Sequence, residues 1–368
     1  MRTSPLHDAL SARGAQFGER YGKEVALRVT GAAEEYRFVR DAAGVTDFSF
    51  LQVFRFPEAT GVDFLDRLMP GNVAKIRFGR ALHTFLPDEE GCILADVLVA
   101  NNDEELIVVC EGIATDDTIR EQFLRLGGLE AGMEDLTDTH AIISVDGFTA
   151  WDAMRKVAGP EVLGLPYLSI DTYEHEDADF RVLRAGKTSE FGYLIIVERN
   201  RATALFEQLV TAVGPAGGVC GVAVHDDLRL EGRFMNVFRE GAAVRDPLPL
   251  GLQWMIDVGK ERFQGSEALF ARRDAGLKHK IIGLAIPAAL PAPCPATPLF
   301  DDGKQIGDLI AVCFSPVAST WLALALLPVE IAFAGQSFHL GGSEGPLVSS
   351  ISMPPIIPKI LSVRLEEM

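Results

Sequence analysis

The chain has 368 residues, 48% hydrophobic and 23% charged, a composition that excludes disorder over any large part and a length that calls for two or three domains. Lys and Arg total 34 against 52 Asp and Glu, giving a formal charge of −18. This field repels a phosphate backbone and excludes nucleic acid as the expected partner, and it requires any anionic ligand to be held by local Arg or Lys.

Five cysteines (Cys92, Cys110, Cys220, Cys294 and Cys313) form no C-x-x-C pair, and their number is odd. That pattern argues against a disulfide framework and against a bound metal, and it fits a reducing cytoplasm. Residues 1–10 lack the apolar centre of a signal peptide. The apolar stretch 321–334 is interrupted by Pro328 and Glu330 and is too short to cross a bilayer, so no membrane association is expected.

In chain order, 5–13 reads as a short helix, and Gly14, Gly18 and Gly22 then break the chain. A helix over 36–43 closed by Gly44 precedes a β-branched and aromatic strand over 45–54. Residues 61–69 have helical spacing ended by Pro70-Gly71. Strands over 81–86, 92–100 and 106–110 with short turns read as an antiparallel meander, followed by a helix over 115–126. A strand over 141–145, a helix over 150–157 and strands over 180–184 and 193–198 follow. The clearest helix is 201–213, with Leu205, Leu209 and Val213 in register, and another covers 225–231. Beyond about 280, five prolines crowded in 287–298 and short apolar strands with Asp-Gly and Gly-Gly turns read as a small all-β domain, with the boundary at 277–281. The fold class is therefore α+β followed by all-β. The sequence contains no P-loop, G-x-G-x-x-G, H-E-x-x-H or G-x-S-x-G pattern, so nucleotide, zinc-protease and serine-hydrolase chemistries have no support.

Asp96 interrupts the apolar run 93–99. On a strand, Ile93, Ala95, Val97 and Val99 share one face, and Leu94, Asp96 and Leu98 share the other. An Asp there is either an exposed edge residue or a partly desolvated carboxylate whose pKa rises unless a cation compensates.

Nine short segments in order carry a family resemblance: Ser4-Pro5-Leu6-His7 with Gly14-Ala15, 39–49, 79–84, 91–99, Thr188-Ser189-Glu190-Phe191-Gly192-Tyr193, 226–231, 247–254, 263–269 and Phe314-Ser315-Pro316. Together they resemble the folate-dependent aminomethyltransferase family, the T-protein of the glycine cleavage system and its relatives. The resemblance implies a three-domain cloverleaf: 1–46 with 137–278 as a discontinuous folate-binding α+β domain with ferredoxin-like elements, 47–136 as an α+β domain carrying Asp96, and 279–368 as a C-terminal β-barrel. It further implies tetrahydrofolate as cofactor, a small-molecule one-carbon donor and, in a true T-protein, a lipoyl carrier protein as partner.

By the same resemblance Asp96 is the catalytic residue that approaches the folate nitrogens and steers or accepts a proton as the one-carbon unit moves, although the first Asp of the family's D-D pair is Ala95 here. Glu190 would read the pterin's amino and ring N–H edge with both oxygens. Tyr193 would pack on the ring or belong to the core. His83 stands in a Tyr position, His225 in an Arg position, and Arg229 keeps the second Arg. His225 would grip a carboxylate only when protonated, and Arg229 would otherwise form a helix-surface bridge with Asp226 or Glu231. Lys187 replaces a Tyr and reads as an exposed lysine or a partner for the folate glutamate tail. Phe50 and Glu111 are expected to line the substrate pocket, and an extra carboxylate there favours a cationic methylated amine or sulfonium as donor. Two other functions fit the family: a non-catalytic folate-binding protein of the iron–sulfur-assembly branch, whose key cysteine is Arg262 here, and a degenerate member without folate.

Overall fold

The strand Ile93–Asn101 shows how the chain divides its apolar residues. Ala95, Val97 and Val99 enter one core, and Leu98 and Ala100 enter another, as strand alternation requires. A computed structural model describes residues 2–20, 22–113, 115–175 and 178–362. In it the strand sits second in a five-stranded sheet ordered Ala81–Pro87, Ile93–Asn101, Glu105–Gly112, Gln52–Pro57 and Glu134–Asp135. Helices Glu58–Leu68 and Asp116–Arg125 supply Phe64, Leu65, Ile119 and Phe123 to the first core, where Phe54, Phe56 and Phe64 surround Phe123. Thr115 caps the second helix by accepting from the Thr118 N–H.

A six-stranded sheet follows the same logic. Its order is Ser169–His175, Ala178–Arg184, Phe191–Glu198, His140–Gly147, Gly44–Asp47 and Gly218–Cys220. Ile143, Val145, Tyr193, Ile195 and Val197 face helices Ala150–Ala158 and Ala202–Ala212, whereas Ile142, Leu194 and Ile196 face the other way. There they meet Leu98, Ile107 and Val109 of the five-stranded sheet in one shared core. The two sheets therefore face each other, with their helices outside. Each fully buried leucine or valine between them contributes about 1.5–3 kcal/mol relative to exposure, so this shared core holds the sheets in fixed register.

The third body is a closed barrel of strands His279–Ile286, Thr320–Pro328, Lys304–Ser315, Pro298–Asp301, Ser337–Leu340 and Leu347–Ile351. Helix Val222–Gly232 ties it to the rest: Leu230 packs with Ala311, Cys313, Leu322 and Leu324 of the barrel. The α+β architecture with a C-terminal barrel agrees with the sequence reading.

Three local readings change. The stretch 45–54 is two strands, Gly44–Asp47 and Gln52–Pro57, which belong to different sheets with a turn between them. Both halves are buried and β-branched, so periodicity gives no sign of the break. The helix before them is Ala32–Asp41, and Gly44 begins the next strand rather than capping the helix. The glycine-rich opening contains a hairpin, Gln16–Arg20 with Lys23–Arg28, and Ser169–His175 adds an edge strand not anticipated. Residues 363–368 of the expected barrel domain lie outside the described residues.

Candidate active site

The apolar seal between the sheets gives way at one end to polar side chains. Asp96 projects from the five-stranded sheet. Ser144, Asp146 and Leu194 project from the six-stranded sheet, and Ala185, Gly186 and Lys187 come from the loop beside it. Phe48 and Leu51, from the turn that splits 45–54, and His225 and Arg229, from helix Val222–Gly232, complete the wall. The side chains bound a cleft of about 410 Å³, a figure that includes the solvent at its open mouth.

Asp96 is fully withdrawn from solvent, and the paired strands place it against Phe85 and Glu111. His83 Nε2 donates to its Oδ1 at 2.5 Å, and the Lys187 ammonium contacts its Oδ2. Burial pushes the carboxyl pKa up, but His83 and Lys187 outweigh burial and hold it well below the ordinary carboxylate value. The condition stated for Asp96 is thus met: a cation compensates, and the group stays ionised. Lys187 also lies 3.6 Å from Glu111. It is a member of the site and not an exposed lysine.

Glu111 is tied to Arg229, Nη1 to Oε1 at 2.7 Å, with both side chains buried. Burial lowers the Arg229 pKa, but Glu111 more than reverses this. Arg229 therefore forms no helix-surface bridge. Asp226 pairs instead with Arg20, and Glu231 with Arg40 at 2.7 Å. The argument for a cationic donor loses both supports, because Glu111 is already paired and Phe50 is absent from the cavity wall. Phe50 packs in the shared core, edge-on to Phe48.

His225 is buried and hydrogen-bonded to Thr46 Oγ1 at 2.9 Å. Burial, reinforced by the neighbouring Arg229 charge, drives its pKa down to about 3. It is neutral at physiological pH, so it is no substitute for an arginine in gripping an anion. Tyr193 points away from the cavity into the helix-side core and is 1% exposed. On a strand its neighbour Leu194 necessarily takes the opposite face, which is the cavity wall.

Glu190 does not line the cavity. Arg40 Nη1 binds its Oε1 at 3.0 Å and the Thr188 carbonyl at 2.7 Å, while Arg40 Nη2 holds Glu231 and Tyr36 donates to Glu231 at 2.8 Å. This buried network fixes the loop that carries Lys187. Burial raises the Glu190 pKa despite Arg40. With one oxygen engaged, a two-oxygen grip on a pterin edge is not available as the residue stands. The other oxygen, Oε2, is buried without a hydrogen-bond partner among the described residues, and so is Arg229 Nε.

Two polar residues of the wall, Ser144 and Asp146, escaped the sequence reading. Asp146 ends the strand His140–Gly147 and is 2% exposed. Ser144 Oγ donates to it, and no Lys, Arg or His forms an ion pair with it among the described residues. Burial pushes its pKa up to about 7, against smaller lowering effects of Ser144, Arg229 and Thr188. The signal was present: it is an acid at the end of an apolar run, as Asp96 is an acid inside one. Gly147 then turns the chain at φ 145°, where a side chain would strike the Ala42 carbonyl at 2.4 Å.

Among the described residues no group of three or more His, Cys, Asp or Glu is placed to hold a metal, and no helix is long and apolar enough to cross a membrane.

These features define an α+β protein with a closed C-terminal barrel and a buried, ion-paired cavity between two sheets. The family model described as the GCVT N-terminal domain matches residues 6–260, and the chain belongs to that family. It is 28% identical to an aminomethyltransferase of Bacillus pumilus over 363 residues, 96% of this chain and 98% of that one. It is 25% identical to an aminomethyltransferase of Halothermothrix orenii, over 97% of this chain and all of the other. Its fold matches the glycine cleavage system aminomethyltransferase T of Bartonella henselae with a TM-score of 0.82, at 22% identity, covering 97% and 98% of the two chains. The family is one of transferase enzymes, and the resemblance drawn from the nine segments holds.

Proposed function

We propose that the protein is a tetrahydrofolate-dependent one-carbon transferase that moves the unit from an amine-type donor to tetrahydrofolate inside the Asp96 cavity. The observation that carries this is Asp96 itself, ionised, immobilised by His83 and Lys187, and facing a cavity with apolar walls. Full-length similarity to aminomethyltransferases supports the reaction class.

The residues present suit the substrate. Phe48, Leu98, Val109 and Leu194 offer apolar surface for a planar pterin. Arg229 and Lys187 are the cations of the wall, each already paired with a carboxylate, so binding rests on shape and hydrogen bonds and not on net charge. The unpartnered Arg229 Nε is a donor for a ring carbonyl, and Glu190 Oε2 is a spare acceptor beside the wall. A fixed carboxylate next to a nitrogen that gains positive charge as its bond to carbon forms stabilises that transition state without reorganising. Positioning of donor and acceptor supplies the rest.

Asp96 and Glu111 are balanced by Lys187 and Arg229, so the cavity does not select a cation by charge. The amine-type donor is therefore sought among uncharged and zwitterionic amines as well as aminomethyl groups on a lipoyl carrier protein. The test is calorimetric titration with tetrahydrofolate, followed by a donor screen with mass detection of methyl- or methylene-tetrahydrofolate. The reading expects saturable binding and one such product. Absence of folate binding overturns it.

A further inference from the structure

Bond formation at a folate nitrogen leaves a proton to remove. As the N–C bond forms, the donor's bond to the carbon breaks and its electron pair leaves with the donor. The nitrogen's N–H then ionises, and its proton needs an acceptor on the cavity wall. Four acidic or basic side chains of the wall are already committed. Asp96 is held by His83 and Lys187, and Glu111 by Arg229 and, more distantly, by Lys187. A carboxylate clamped between two donors is a poor base, because taking a proton would cost it both contacts.

One carboxylate of the wall has no ion-pair partner among the described residues and is held only by the hydroxyls of Ser144 and Thr188. Asp146 is buried, faces the same cavity as Asp96 and accepts from the neutral Ser144 hydroxyl. Backbone holds it there tightly. A side chain on Gly192 would meet Asp146 Oδ1 at 2.4 Å, and one on Gly186 would meet it at 3.1 Å. Two glycines thus leave room for this carboxylate, which would otherwise be displaced from the wall.

We infer that Asp146 is a second catalytic residue, which accepts the proton released from the folate nitrogen, while Asp96 serves as a fixed negative charge. This division of labour rests on the folate reading above. The groups that face Asp146 are Ser144 on its own strand, Thr188 and Lys187 on the adjoining loop, and His225 and Arg229 on helix Val222–Gly232. Cys220 on the neighbouring strand and Asp96 and Glu111 across the cavity complete its surroundings. Of the ionisable groups on the cavity wall, Asp146 is placed near pH 7 by burial, which is where a general base works best.

The test needs no donor. Tetrahydrofolate is titrated calorimetrically into the full-length protein between pH 5.5 and 8.5, in buffers of different ionisation enthalpy, to count protons exchanged on binding. A folate N–H aimed at Asp146 favours its ionised form, so binding should release a proton in the window just below pH 7. Asp146→Asn should bind tetrahydrofolate but lose that release, and Asp96→Asn should keep it. Ser144→Ala, which deletes the hydrogen bond that favours the ionised carboxylate, should shift the release to higher pH. This variant decides the matter if Asp146→Asn does not fold. Proton release unchanged in Asp146→Asn, or an unmoved midpoint in Ser144→Ala, overturns the inference. Absence of tetrahydrofolate binding by the wild type overturns the folate reading instead.

Discussion

The Lys187 ammonium sits on Asp96 Oδ2 with side-chain exposures of 11% and 0%, so two opposite charges are withdrawn from water together. Such a pair stands because each partner offsets the other's desolvation. Removing one alone leaves the other buried and uncompensated. Lys187→Met should cost about 3–5 kcal/mol of stability, and Asp96→Asn should cost less because His83 keeps a hydrogen-bond partner. A double-mutant cycle by urea denaturation should give a coupling of roughly 1–3 kcal/mol. Additive effects would mean that the two charges do not act as a pair.

Arg229 and Glu111 make a second buried pair from two different parts of the chain. Arg229→Met should destabilise by about 3–5 kcal/mol, and pairing it with Glu111→Leu should recover much of that loss, since the unpaired charge is then gone. The comparison is made from urea midpoints of the single and double variants. A double variant no more stable than Arg229→Met would contradict the pairing.

Asp146 gives stability a pH dependence of known sign. Its folded pKa, about 7, lies above the ordinary aspartate value of 3.8. The folded state therefore binds the extra proton between these values, and stability falls as pH rises through that window. Above pH 7 the buried charge costs on the order of 2–4 kcal/mol. Asp146→Asn removes this cost, keeps an acceptor for Ser144, and should be more stable than the wild type at pH 8 with the advantage gone near pH 4. Thermal denaturation of both proteins across this range measures it. An equal difference at every pH would refute the assignment.

Tyr193 and Leu194 offer a contrast between adjacent residues. Tyr193→Phe should leave tetrahydrofolate affinity within about twofold, since the side chain is in the helix-side core. Leu194→Ala, on the cavity wall, should weaken binding more strongly. Equilibrium titration of the two variants tests this, and a large loss for Tyr193→Phe would place the ring in the site after all.

Asp96 and its strand were legible because an acid inside an apolar run has a period-2 meaning that one sequence shows. An all-β C-terminal domain was legible from prolines and Gly turns, and its closure into a barrel was implied by the family resemblance. Glu111 and Arg229 were each singled out in the sequence, but their mutual pairing was not, because they are 118 positions apart and only the fold brings them together. Lys187 was misread for the same reason: exposure is the ordinary state of a loop lysine, and its burial depends on Asp96 from the facing sheet. Phe50 was placed in the pocket and Phe48 was not. The turn at 48–51 decides which ring faces inward, and that turn lay hidden inside a stretch rich in aromatic and β-branched residues with no Gly or Pro to mark it. Asp146 carried the same signature as Asp96 but lay in no segment that drew attention.

The central claim, that the cavity between the sheets is the folate site, is tested most directly by hydrogen–deuterium exchange of the full chain with and without tetrahydrofolate. The account predicts added protection in strands Ile93–Asn101 and Glu105–Gly112, in the loop around Lys187 and in helix Val222–Gly232, with barrel strands Pro298–Asp301 and Ser337–Leu340 unchanged. Protection confined to the barrel, or none at saturating tetrahydrofolate, would contradict it.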